Sequence, residues 1–135
     1  MNAQKIVKVS SKIYILFSIL CVLYVGLFSM YSPQATMKLV STVLPNNDAI
    51  SSIRGVYGGV GLVIVVALIY LLRKDLRLGL IFITLFWISY ALSRLITLVV
   101  DGPLGDFGFQ WLIIESVQSI LGLGLLLLFR LSKKI

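Results

Sequence analysis

The chain has 135 residues, 59% of them hydrophobic and 13% charged, with a mean hydropathy of +1.06. That length fits one domain, residues 1–135, and apolar runs at this density exclude an ordinary soluble protein in favour of an integral membrane one. The net charge is +7 and there is no histidine, so the commonest metal ligand and neutral-pH acid–base group is missing. The single Cys21 lies inside an apolar run, can form no disulfide within the chain, and reads as a small core residue.

Four apolar segments are each long enough to cross a hydrocarbon core of about 30 Å. They run over 13–30, 53–72, 76–100 and 109–131. A backbone in lipid must satisfy its own hydrogen bonds, so each is expected to be a helix. Apolar residues surround each segment, which excludes a helix lying on the surface. The first span follows Lys5, Lys8 and Lys12, as a signal peptide would. Its apolar run is too long, however, and "FSMYSPQA" is a poor cleavage site, so it is read as retained. The expected fold is an all-α membrane four-helix bundle with a short outer helix.

Charge placement gives the direction. Lys5, Lys8, Lys12, Arg73, Lys74, Arg77, Arg130, Lys133 and Lys134 fall on one side, whereas the opposite loops carry Lys38 as their loop base. The positive-inside rule places both termini in the cytoplasm, in a bacterial inner membrane. The positive charge is then topology and attraction to anionic headgroups, not a nucleic-acid surface. In the first outer loop Ser32 and Pro33 read as a helix start and Pro45 as a stop. Met37, Val40 and Leu44 share a helical face, with Leu39 and Val43 beside it, which predicts a short interfacial helix. Asn46, Asn47 and Asp48 offer caps for the second span. The second outer loop, "DGPLGDFG", is a tight turn. No internal repeat supports an inverted-repeat transporter.

The stretch "SSIRGVYGGVG" places Arg54 at the mouth of the second span, before a run of glycines. Gly55 and Gly59 form a small-xxx-small pair expected to let two helices approach closely. A phosphate-cradling loop would need a preceding strand and a following Lys-Ser/Thr, and both are absent.

Helix rise puts Arg54 about 28 Å from Arg73, Arg94 about 25 Å from Arg77, and Glu115 about 22 Å from Arg130. All three therefore fall in the outer half of the membrane, on different helices. Arg54 shares a face with Tyr57, Gly58 and Gly61. Arg94 shares one with Trp87, Tyr90, Leu98 and Asp101, and Glu115 one with Trp111, Gln118, Ser119 and Gly122. Mixed aromatic, small and polar faces point into a bundle, because lipid cannot satisfy them. A carboxylate at that depth must be paired or protonated. Arg94 is the expected partner of Glu115, Arg54 the second choice, and Asp101 is within reach of either arginine. The candidate ligand-binding set is Arg54, Tyr57, Trp87, Tyr90, Arg94, Asp101, Trp111, Glu115 and Gln118.

The segments "IRGVYGG" (53–59) and "SRLITLVVDGP" (93–103), with the Glu115 helix, resemble a family of small bacterial four-span membrane proteins catalogued as a domain of unknown function (family 4345). The resemblance covers about Tyr31 to Arg130. The family pattern has a small Gly where this chain has Ser93, and often an acidic residue where it has Ser52; the second change removes a neighbour for Arg54. The resemblance implies a four-helix membrane bundle and no established activity.

Three functions fit the residues. The first is a lipid or a small polar or anionic ligand held in an outer-leaflet pocket. The second is a structural or accessory subunit whose ion network only fixes the bundle. The third is a proton-coupled carrier or membrane enzyme using Glu115 as its acid–base group. No hydrolytic triad, metal cluster or nucleotide fingerprint is present, so no catalytic residue, metal or cofactor is assigned, and enzymes rank last. The implied partners are the bilayer, a lipid or small-molecule ligand, and a second copy or another membrane protein; no nucleic acid is implied.

Overall fold

The structure, a computed structural model, describes residues 3–132. It is all-α. Helix α1 is Ala3–Tyr31, α2 Pro33–Lys38, α3 Asn47–Ile53, α4 Val60–Lys74, α5 Leu76–Val100 and α6 Asp106–Leu131. A π-helical turn, Arg54–Gly59, joins α3 to α4, so Asn47–Lys74 runs as one span. Four helices are thus long and apolar enough to cross a membrane: Ala3–Tyr31, Asn47–Lys74, Leu76–Val100 and Asp106–Leu131. These match the four predicted segments and extend three of them. The fourth span begins at Asp106, with Gly105 in extended backbone at its cap.

Local chemistry explains the boundaries. Pro33 sits in the first turn of α2, where its missing N–H costs nothing. The helix stops after Lys38. Ser41 adopts a left-handed φ of 57°, and the Thr42 N–H closes back on the Met37 carbonyl at 3.0 Å. The predicted interfacial helix is therefore shorter than its apolar stripe: Met37 lies in it and is buried, whereas Val40 and Leu44 fall beyond its end. Asn46 caps α3 by accepting from the Ala49 N–H at 2.8 Å. Asp75 is the single residue between α4 and α5, and its carboxylate caps α5 through the Leu78 N–H at 2.9 Å. Gly102, at φ +111°, lets the chain leave α5 in a backbone conformation that other residues rarely adopt.

The chain divides into two compact units. The terminal unit joins residues up to Leu16 with those from Leu71 onward, and the central unit is Phe17–Tyr70. In the terminal unit α5 and α6 pack along their lengths. The buried face of α5 carries Leu80, Ile83, Thr84, Trp87 and Ala91, and that of α6 carries Leu112, Glu115, Gln118, Ser119, Gly122 and Phe129. Both lists follow the three- and four-residue helical spacing. In the central unit α1 meets the span from the π turn through close backbone approach. A methyl group built on Gly61 would lie 3.5 Å from the Gly26 Cα, and one on Gly26 3.6 Å from the Gly58 carbonyl oxygen.

Candidate functional site

The terminal unit brings Arg94 and Glu115 together. Arg94 lies one turn past Ala91, the last fully buried residue of α5, and is half-buried. Glu115 lies on the buried face of α6. The Arg94 Nε donates to Glu115 Oε2 at 2.7 Å and Nη2 donates to Oε1 at 3.0 Å. This is the two-pronged geometry that matches a guanidinium to a carboxylate, and it engages both carboxylate oxygens. The Glu115 side chain is 1% exposed and that of Arg94 21%. A lone charge at such depth costs several kcal/mol, so the two are retained there as a pair.

A seam of polar groups continues along α6 from this pair. Ser119 Oγ donates to the Glu115 backbone carbonyl at 2.7 Å. The Tyr14 hydroxyl donates to the Gln118 backbone carbonyl at 2.8 Å, beside the Thr84 side chain. Thr84 in turn donates to the Leu80 carbonyl at 2.7 Å. Gly122 makes room for this arrangement: a methyl group there would collide with Thr84 Oγ1 and would lie 2.7 Å from the Tyr14 oxygen. Gln118 Oε1 is buried with no hydrogen-bond partner among the described residues. Such an orphaned acceptor ordinarily takes a donor, either water or a ligand.

The other predicted residues are placed as follows. Trp87 is buried, edge-on to Phe86 with ring centroids 5.4 Å apart. Tyr90 is exposed and tilts against Phe86 at 4.9 Å. Trp111 is half-buried beside Phe107. Asp101 is exposed just past the end of α5 and, although the sequence puts it within reach of either arginine, makes no ion pair among the described residues. Its backbone N–H closes the last turn on Thr97, and the helix ends there.

Arg54 belongs to the central unit, and its partner is not a carboxylate. It is exposed, and its Nε donates to the Met30 carbonyl at 2.9 Å, near the end of α1. Carbonyls at a helix C-terminus lack intrahelical partners and carry partial negative charge, which suits a guanidinium. Glu115 has both oxygens on Arg94, so Arg54 is not its partner. Tyr57 is half-buried in the same turn.

Gly55 and Gly59 also differ from expectation. A methyl group on either would meet no atom within 4 Å. The close contacts fall to Gly58, where a methyl would lie 2.8 Å from the Met30 Cγ, and to Gly61 and Gly26. The cause is the π turn. The Val60 N–H bonds to the Gly55 carbonyl, five residues back, so the four-residue spacing that defines a small-xxx-small face does not hold across residues 54–59.

The family model described as a domain of unknown function, DUF4345, matches residues 10–127. The chain belongs to the DUF4345 family. The match spans all four membrane helices in whole or large part, and with them the Arg94–Glu115 pair. No curated protein and no solved structure matches this DUF4345 chain. It is therefore a membrane protein of a family whose activity is unassigned.

Sequence reasoning missed Tyr14, Thr84 and Gly122 as a unit. Tyr14 and Thr84 each sit singly in apolar runs. The available signal was on α6, where Glu115, Gln118, Ser119 and Gly122 share one face and need polar neighbours.

Proposed function

We propose that this DUF4345 protein is a structural or accessory component of its membrane, in which the Arg94–Glu115 pair holds α5 and α6 in register. The observation that carries this reading is the direct closure of the pair, with both Glu115 oxygens on one guanidinium and the carboxylate 1% exposed. A buried pair of this kind fixes one alignment, because any slip leaves an uncompensated charge. Segregation of the cations supports an orientation with both termini on the cytoplasmic side of a bacterial inner membrane.

The test is a charge-reversal cycle. Arg94→Glu and Glu115→Arg should each lose about 3–5 kcal/mol of stability in micelles, and the double variant should recover most of it. Single variants as stable as the wild type would sink the proposal.

A second reading keeps a lipid or small polar ligand in the outer leaflet. It is favoured by the buried, unpartnered Oε1 of Gln118, one helical turn from Glu115. Native mass spectrometry of gently purified protein should then show a retained molecule that is lost in Gln118→Leu, and a bare wild-type spectrum removes this reading.

A further inference from the structure

At one end of the terminal unit the charges do not balance. The Gln4 side-chain amide donates to the Ser132 carbonyl at 2.6 Å, so the start of α1 lies beside the end of α6. A methyl group on Gly79 would lie 3.5 Å from the Ile15 side chain and 3.2 Å from that of Leu71, which brings the start of α5 beside α1 one turn past Lys12. This end therefore gathers Lys5, Lys8, Lys12, Arg73, Lys74, Arg77 and Arg130, all exposed. Among the described residues none of them makes an ion pair.

Of the chain's five Asp and Glu side chains, Asp75 is the one at this end. Its side chain already caps α5 through the Leu78 N–H. The others lie elsewhere: Asp101, Asp106 and Glu115 stand toward the opposite ends of α5 and α6, and Asp48 in the central unit. The excess is not spread evenly. Lys5, Lys8 and Lys12 follow helical spacing along one stripe of α1, and with Gln4 and Val9 they line an open groove of about 520 Å³. No acidic residue occupies the first turn of α1 to offset them.

Three ammonium groups around one concavity, with no ion-pair partner among the described residues, attract an anion from outside. At the basic end of a membrane-spanning helix the abundant anion is a lipid phosphate, and the apolar flank of α1 below the groove (Val9 and Ile13, both exposed) suits acyl chains. We propose that the Lys5–Lys8–Lys12 groove is a binding site for the phosphate of an anionic phospholipid. It is independent of the Arg94–Glu115 pair and of the function assigned to it.

The experiment uses the full chain in detergent micelles, where membrane orientation has no meaning, with phosphatidylglycerol or phosphatidylcholine added and retained lipid counted by native mass spectrometry. The wild type should retain phosphatidylglycerol in preference to phosphatidylcholine. Replacing all three lysines (Lys5→Gln, Lys8→Gln, Lys12→Gln) should weaken that retention by roughly 100-fold, since each cation near an anionic surface contributes several-fold. The charge-matched control Arg73→Gln, Lys74→Gln, Arg77→Gln removes as many cations away from the groove and should change it much less. Equal losses in both triple variants would mean diffuse surface charge and overturn the site, as would a wild type without preference. Displacement of the lipid by millimolar inorganic phosphate would overturn the lipid assignment in favour of a soluble anion. Circular dichroism of each triple variant should match the wild type, because no substituted side chain is buried.

Discussion

The two units of this protein hold their helices by different means. In the terminal unit the contacts are polar and directional: a bidentate ion pair, a tyrosine on a backbone carbonyl, and threonine and serine hydroxyls inside the helix packing. In the central unit the closest helix contacts are steric, with Gly26, Gly58 and Gly61 letting backbones approach until Met30, Leu62 and Val22 are in touch, alongside the hydrogen bond from Arg54 to the Met30 carbonyl. Lipid is as apolar as leucine, so burying apolar surface between helices brings little. What remains is hydrogen bonding or close van der Waals packing; the first is prominent in the terminal unit and the second in the central one. The polar solution fixes register, because its partners are specific atoms. The steric solution tolerates adjustment, because a thioether can move.

That contrast can be broken by adding the same methyl group to each unit. Gly122→Ala should be the costliest change, about 3 kcal/mol or more, because the new carbon strikes Thr84 and Tyr14 groups held by hydrogen bonds. Unfolding by denaturing detergent, followed by circular dichroism, measures it. Adding Tyr14→Phe should recover part of the loss, since one of the two obstructing oxygens is then gone. Gly58→Ala should cost less, about 1–2 kcal/mol, because the nearest atoms belong to the flexible Met30 side chain, although the Met30 backbone nitrogen at 3.1 Å sets a limit. If Gly58→Ala proves as costly as Gly122→Ala, the distinction between rigid and yielding contacts fails. Smallest of all, Gly55→Ala and Gly59→Ala should each leave stability unchanged or raise it by up to about 1 kcal/mol, since the added methyl meets no atom within 4 Å at either. A clear loss of stability at either position would instead reveal packing against a second copy.

How much of this was legible in the sequence follows from which physical rule governs each residue. The four spans were legible because length and hydropathy are set by the bilayer. The Arg94–Glu115 pair was legible because helix rise places both residues at similar depth and only pairing makes either charge tolerable there. Arg54 was misassigned for a related reason. A helix-end carbonyl, which no side-chain pattern announces, takes its guanidinium. Gly55 and Gly59 were misread because the packing motif presumes a regular α-helix, and the backbone departs from one at that point. The contact of Tyr14 with Thr84 and Gly122 was legible only on its α6 side, where Gly122 shares the Glu115 face, since it joins three segments distant in sequence.

The π turn has a consequence for how the chain can change length. An α-helical span cannot gain or lose a residue without rotating everything beyond it by about 100°. Residues Arg54–Gly59 already hold the backbone in a wider turn, closed five residues back rather than four. Removing one residue there would restore an ordinary α-helical turn. This is the place in the described spans where a one-residue deletion need not rotate the helix beyond it.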